Sequence, residues 1–387
     1  MRLKSSELIY LCCYVLLIVS MYLFVEIVNK PRLLWLICPL ITVVVILVIA
    51  FWGRYSKKDL IVQFVVMLLF AVVAVQTDRA FLMVYAALLC GANITSFVNI
   101  VKTCVASCVG IVLLTAVGDS LGVIPNNLVY RSGVTIETFG FGWYSVVPFT
   151  FLFVVLGVFY IKSESQKKAS WGELLVIFLI NLWLYSVTTL RLTFYLMLLV
   201  IGLYIILVKI DLIDLRKKGI VYLSVLLYPV LFAFTIWINH AYDPSVPLLA
   251  RLDTVLTGRL SLGHEGLERY PINFFGQKIQ TSAGQDSYFY IDSGYLYSLL
   301  GYGILFTALI LLMYVFLCRY AAVNNHKPLF IWLITVAAFS FINNAWISLY
   351  MNPILMMFPV AFRSIQAERE TDGCRDKGRA CIWGDRA

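Results

Sequence analysis

Long apolar runs alternate with short polar links along almost the whole chain. A helix rises about 1.5 Å per residue and a bilayer core is about 30 Å thick, so one crossing takes about 20 apolar residues. Runs suited to a crossing cover 8–28, 33–52, 60–76, 80–102, 103–121, 141–161, 171–189, 191–208, 220–238 and 293–318. The fourth weakens after Gly91, and Lys102 marks its end. The last apolar stretch, 329–362, is too long for one crossing. Asn343, Asn344, Asn352 and Pro353 divide it into two short ones. The pattern predicts an all-α polytopic bundle of about 12 spans, one transmembrane unit over 1–362. The first run has no small-residue cleavage site near its end and is read as a retained helix.

Two polar interruptions break the rhythm, 122–140 between spans five and six and 239–292 between spans nine and ten. The second is long and charged enough to hold a site. Within it Leu249, Leu252, Leu256, Leu260 and Leu267 fall on one helical face at about 100° per residue. Arg251, Ser261 and Glu265 fall on the other side, with Arg259 at the border. Such a helix is expected to lie on the bilayer surface or to cap the bundle.

Composition excludes a soluble domain: 61% of residues are hydrophobic and 13% charged, with mean hydropathy +0.90. The net charge of +9 is a topology signal and does not point to nucleic acid. With 12 spans, 21 of the 30 Lys and Arg lie on the side of the termini. That side is therefore expected to be cytoplasmic, and both interruptions and Arg191 to face outward. Nine cysteines show no CxxC and no ligand spacing, and Cys104 and Cys108, on one helix face, read as packing. No metal or cofactor is indicated. The basic segment 363–387 carries no apolar pattern and is expected to be a disordered cytoplasmic tail, to which the sequence assigns no function.

The outward elements are rich in arginine: Arg131 in the small loop, Arg191 in the turn between spans seven and eight, and Arg251, Arg259 and Arg269 in the large loop. Together they describe a basic pocket suited to a diphosphate at the membrane surface, which arginine grips bidentately. Singly, Arg191 has a second reading as a snorkelling side chain, and Arg259 as a partner of Asp253 or Glu265. His264, Glu265, Glu137 and Asp253 are candidate general bases, with His264 favoured and Glu265 expected to hold an arginine. Asp292 precedes span ten as Asp-Ser-Gly and reads as a helix N-cap. Tyr288, Tyr290, Tyr295 and Tyr297 read either as sugar-stacking rings or as an interfacial aromatic belt. No outward DxD is present, and Gly301-Tyr302-Gly303 lacks the rest of a nucleotide loop. Any transfer would then use a lipid-linked donor.

The runs LTGRLSLGH at 256–264, YPINFFGQ at 270–277 and IDSGY at 291–295, with Tyr302-Gly303, resemble the Wzy-type polysaccharide repeat-unit polymerases of capsule and exopolysaccharide biosynthesis. The spacing of Arg131 and Gly142, ten residues between them, is similar to the Arg-ten-Gly pattern of that family; Arg251 and Gly263, with eleven residues between them, depart from it. Arg191 resembles the family's arginine between spans seven and eight. His264 and Gly276 do not keep the spacing of the related O-antigen ligases. The resemblance implies a glycosyltransferase of the bacterial cytoplasmic membrane that polymerises undecaprenyl-diphosphate-linked oligosaccharide repeat units at its outer face. It implies a base that activates the acceptor hydroxyl, arginines that stabilise the leaving diphosphate, and no metal; the candidates in this sequence are His264 and Glu265 as catalytic and Arg131, Arg191, Arg251 and Arg259 as diphosphate-binding. Partners would be the lipid-linked oligosaccharide, membrane lipids, and candidate flippase and chain-length regulator proteins. Competing readings are a ligase, a flippase for the same lipid, or an accessory scaffold.

Overall fold

A computed structural model describes residues 4–364 except Arg54, Asn126, 132–133 and 285–286. Most of the proposed tail, 365–387, lies outside the described residues. The helices in order are α1 (Ser5–Met21), α2 (Leu34–Trp52), α3 (Lys57–Thr77), α4 (Phe81–Gly91), α5 (Phe97–Ser120), α6 (Val146–Glu164), α7 (Trp171–Thr188) and α8 (Arg191–Tyr204). They continue as α9 (Lys218–His240), α10 (Pro247–Val255), α11 (Arg259–Arg269), α12 (Gly294–Tyr297), α13 (Ile304–Val323) and α14 (Lys327–Ile342). Two hairpins sit in the polar interruptions: β1 (Val129–Arg131) with β2 (Val134–Ile136), and β3 (Ser282–Gly284) with β4 (Ser287–Phe289), both antiparallel.

Among the described residues nine helices are long and apolar enough to cross a bilayer, so this is a polytopic helical membrane protein. Three shorter apolar helices accompany them: Phe81–Ile94, Lys327–Ile342 and Pro353–Ser364. Capping residues set several ends. Ser56 with Asp59 and Ser170 with Glu173 form capping boxes on α3 and α7. Ser96 caps α5 through the Asn99 amide, so α5 begins before Lys102. Lys102 therefore lies inside that helix and does not end the preceding one, as the apolar pattern had indicated.

The helices alternate between two faces. One, here the loop face, gathers both polar interruptions. Gly142 of the small-loop segment donates its amide to the Glu26 carbonyl at the end of the first crossing, and the Glu137 amide bonds Val187 near the end of α7. Lys278 of the large loop meets Asp78 after α3 at 2.8 Å. The opposite face carries the links after α2, α6, α8 and α13. Large apolar side chains such as Leu36, Phe64 and Leu223 point outward from the crossings, as lipid-facing surface must.

Two of the apolar runs are broken. The run at 293–318 is not one helix: α12 passes through a π turn, Ser298–Tyr302, to Gly303 at φ +88°, and α13 starts only after it. The large loop fills the break. Asn273 and Phe274 carbonyls accept the Ile304 and Leu305 amides, and Gln277 donates its amide to Gly301. A Cβ on Gly303 would lie 2.4 Å from the Gly276 nitrogen, so the backbones meet only because both positions are glycine.

The second break follows α14. Residues 343–352 are largely irregular, apart from a short 3-10 turn, and are packed within the bundle. At membrane depth such backbone survives only if protein satisfies it. Tyr14 donates to the Leu349 carbonyl at 2.6 Å, and Tyr314 to that of Trp346. Cys108 bonds the Tyr350 carbonyl at 3.5 Å and Cys104 that of Met351 at 3.7 Å. Trp332 donates to Asn352 Oδ1 at 2.9 Å. The two cysteines thus do more than pack.

Candidate functional site

The large loop is built from two helices, not one. Thr257 (φ +58°) and Gly258 (φ +81°) adopt left-handed backbone and break the leucine stripe between α10 and α11. Asp253 then caps α11 from seven residues upstream. Its Oδ1 accepts the Leu260 amide at 2.8 Å and the Ser261 amide at 3.1 Å, and Tyr242 donates to Oδ2. A carboxylate at a helix N-terminus is well placed electrostatically, and this one is already saturated with donors. Asp253 is a structural anchor.

α11 buries Leu260, Gly263 and Gly266 against the bundle. That orientation carries Arg259 to Asp292, with Nε 3.0 Å from Oδ2 and the side chains 31% and 23% exposed. The approach is a charge pair rather than an aligned hydrogen bond at Nε, because Arg259 is also drawn to the Leu256 carbonyl and the Thr257 hydroxyl. Asp292 is not the cap expected from Asp-Ser-Gly. Ser293 caps α12 by accepting from the Leu296 amide. Burial pushes the Asp292 carboxyl above the ordinary carboxylate range, and Arg259 pulls only partly against it.

Arg79 completes the cluster. It follows the turn after α3, which Asp78 closes with φ +58° and ties to Trp35 and Lys278. Its Nη2 donates to the Tyr297 hydroxyl at 3.2 Å, and Tyr302 and Tyr290 lie within electrostatic reach. Tyr290 is 41% exposed, but its hydroxyl is desolvated and, with Tyr297 and Asp292 beside it, pushed up to about 12. Two guanidiniums, one carboxyl and three tyrosines therefore line one patch of the loop face, beside the break at Gly303. Sequence reasoning missed Arg79, a lone cation in a three-residue turn. The available signal was that a tight helix–helix turn needs no charge at all.

The tyrosines divide. Tyr295 is fully buried and donates to the Ala337 carbonyl, so it belongs to the core and offers no ring to a sugar. Tyr297 is buried on Arg79, whereas Tyr288 is 59% exposed.

His264 lies on another side of α11. Its Nδ1 lies 3.0 Å from the Asn239 carbonyl and its Nε2 3.4 Å from Glu268 Oε1, so both ring nitrogens face acceptors. Glu265 pairs with Arg269 one turn on, so it holds an arginine as the sequence suggested. Arg269 in turn lies over the Phe289 ring. Arg251 is exposed on α10.

Arg131 and Arg191 belong to the small-loop side. Arg131 ends β1, and Arg191 opens α8 in an exposed position. The Glu137–Val187 bond, and Phe139 against Trp183 at 5.7 Å, bring the small loop to the α7–α8 turn. Among the described residues Arg191 makes no ion pair. No three His, Cys, Asp or Glu side chains converge as a metal-holding group among them.

Comparison with protein-family models, curated proteins and solved structures returns no match for this chain.

Proposed function

We propose that the chain is a glycosyltransferase that polymerises undecaprenyl-diphosphate-linked oligosaccharide repeat units at the outer face of the bacterial cytoplasmic membrane. The observation carrying this reading is the patch of Arg79, Arg259 and Asp292 with its tyrosines, placed where the large loop closes the broken crossing. The resemblance of 256–264, 270–277 and 291–295 to Wzy-type polymerases supports it, because these runs build the same patch. In this reading the nine long helices and three short ones make twelve crossings with both termini cytoplasmic.

Arg79 and Arg259 hold the diphosphate of the growing chain. They neutralise charge as the bond between the anomeric carbon and the phosphate oxygen breaks. A base takes the proton of the acceptor hydroxyl as its oxygen bonds to that carbon. Asp292 is favoured because it lies against the Arg259 guanidinium and has a raised pKa. His264, whose Nε2 faces Glu268, is the second candidate. Glu265, held by Arg269, serves position and not proton transfer. Arg131 and Arg191 are the candidates for the second lipid diphosphate, with Arg251 at the rim.

The test is purified protein with lipid-linked repeat unit, product length being read on a gel. Polymer from the parent and none from Arg79→Ala supports the reading. Repeat units transferred singly to another acceptor favour a ligase, and movement of the lipid across vesicles without new bonds favours a flippase. The base is assigned by pH profile. Asp292→Asn should abolish transfer at every pH, while His264→Ala keeps a profile set by a carboxyl.

A further inference from the structure

On the face opposite the loops, a cavity of about 530 Å³ opens between the links after α6, α8 and α13. That volume lies in the range of small-molecule sites, roughly 300–1,000 Å³. Its floor is apolar, formed by Leu207, Val208 and Pro328 with the Tyr204 ring. Its rim is basic. Lys167 and Lys168 are both exposed there, and among the described residues neither has a carboxylate within ion-pair distance.

The acids in the cavity are already engaged. Asp211 pairs with Lys327, which is 9% exposed, and Glu164 meets His326 Nε2 at 2.8 Å. The uncommitted charge is therefore that of two lysines, with the Lys327 ammonium close enough to feel Lys168. Two like charges converge on one opening, and an anion between them would relieve the repulsion.

The rim is also fixed in place. Gln166 takes a left-handed backbone (φ +54°), and the Lys167 amide bonds back to the Lys162 carbonyl at 2.8 Å. Next to Lys168, the Ala169 amide donates to the Tyr204 hydroxyl at 2.8 Å, tying rim to floor. Across the opening, Asn325 Oδ1 accepts the Leu215 amide and holds two links together. A pre-formed opening with an apolar floor and a cationic lip fits an amphiphile with an anionic head.

We propose that this cavity binds a phosphate-bearing ligand, the phosphate between Lys167 and Lys168 and the apolar part along Leu207 and Val208. The phosphate is that of an anionic lipid headgroup or of a soluble phosphoanhydride, and the site is separate from the loop-face patch. Its test does not depend on the polymerase reading, because the readout is binding.

Full-length protein, stripped of lipid in detergent, is titrated with phosphatidylglycerol and phosphatidylcholine by native mass spectrometry, and with inorganic pyrophosphate by calorimetry. Phosphatidylglycerol should bind in preference to phosphatidylcholine if the source is lipid, and pyrophosphate should bind if it is soluble. In either case Lys167→Gln/Lys168→Gln should weaken the binding about 30-fold, taking about tenfold per 1.4 kcal/mol and about 1 kcal/mol per lysine. Lys217→Gln/Lys218→Gln, on the same face and outside the cavity, should leave it unchanged. Absence of both preferences in the parent overturns the proposal. So does equal loss in the two double variants, which would reduce the effect to diffuse surface charge.

Discussion

Removing the guanidinium of Arg259 isolates a carboxyl that burial already disfavours as an anion. Breaking one side of a fully buried ion pair costs about 3–5 kcal/mol. The Arg259 and Asp292 side chains are 31% and 23% exposed, so water screens part of that and about 2 kcal/mol remains. In a chain of 387 residues that lowers the melting temperature by about 2–3 °C. The variant Arg259→Met keeps the aliphatic stem and loses only the charge. Asp292 then has burial to raise its pKa and nothing from Arg259 to lower it. A carboxyl whose folded pKa is raised contributes stability that is fully present below its unfolded value, about 4, and lost as pH rises through the folded value. The deficit of Arg259→Met should therefore be small at pH 5 and full at pH 8. Adding Asp292→Asn should flatten the pH dependence and recover part of the loss. Thermal unfolding of detergent-purified protein, followed by tryptophan fluorescence at the two pH values, reads all of this. An Arg259→Met variant as stable as the parent at pH 8, or a double variant no better than the single one, would refute the pairing argument.

Gly303→Ala forces a side chain into a backbone region open essentially to glycine and against the Gly276 nitrogen, costing about 4 kcal/mol. Gly110→Ala, with open space at its Cβ inside α5, should be stabilising by up to about 1 kcal/mol, and melting temperatures of the two variants compare them directly. Tyr314→Phe leaves the Trp346 carbonyl with only the longer 3.4 Å bond from Asn352 Nδ2 and should cost about 1 kcal/mol, read the same way against the exposed-site control Tyr222→Phe. Arg191→Ala should leave stability within about 0.5 kcal/mol, because the side chain is exposed and a cation gains nothing at a helix N-terminus. If the same variant still makes full-length polymer, Arg191 is a headgroup contact and not a substrate ligand.

The crossings were legible because lipid leaves one solution for a long apolar run. The helix over 171–188, for instance, begins at the capping pair Ser170 and Glu173 and ends where the run does. The break at Gly303 was not legible, because its cause lies some thirty residues away. The Asn273 and Phe274 carbonyls replace the missing helical turn, and no local pattern announces a distant acceptor. Arg259 was found by type and its partner was not: Asp253 and Glu265 are nearer in sequence, yet the cap at Leu260 consumes one and Arg269 the other. Asp292 was assigned to the cap that Ser293 makes. Arg79 escaped because its significance rests on three tyrosines from 290–302, brought to it only by the fold.

The closure of the 343–352 backbone bears on how the chain is assembled in the bilayer. Its carbonyls are satisfied by Tyr14 from the first helix, Cys104 and Cys108 from α5 and Tyr314 from α13, the most distant pairing spanning 335 residues. Until those donors surround it, the segment has no favourable place in hydrocarbon. It must therefore seat after the helices that receive it are in place, as a plug in a prepared socket. Segments 335 residues apart then mature together, and damage around Tyr14 should surface as protease sensitivity around 343–352.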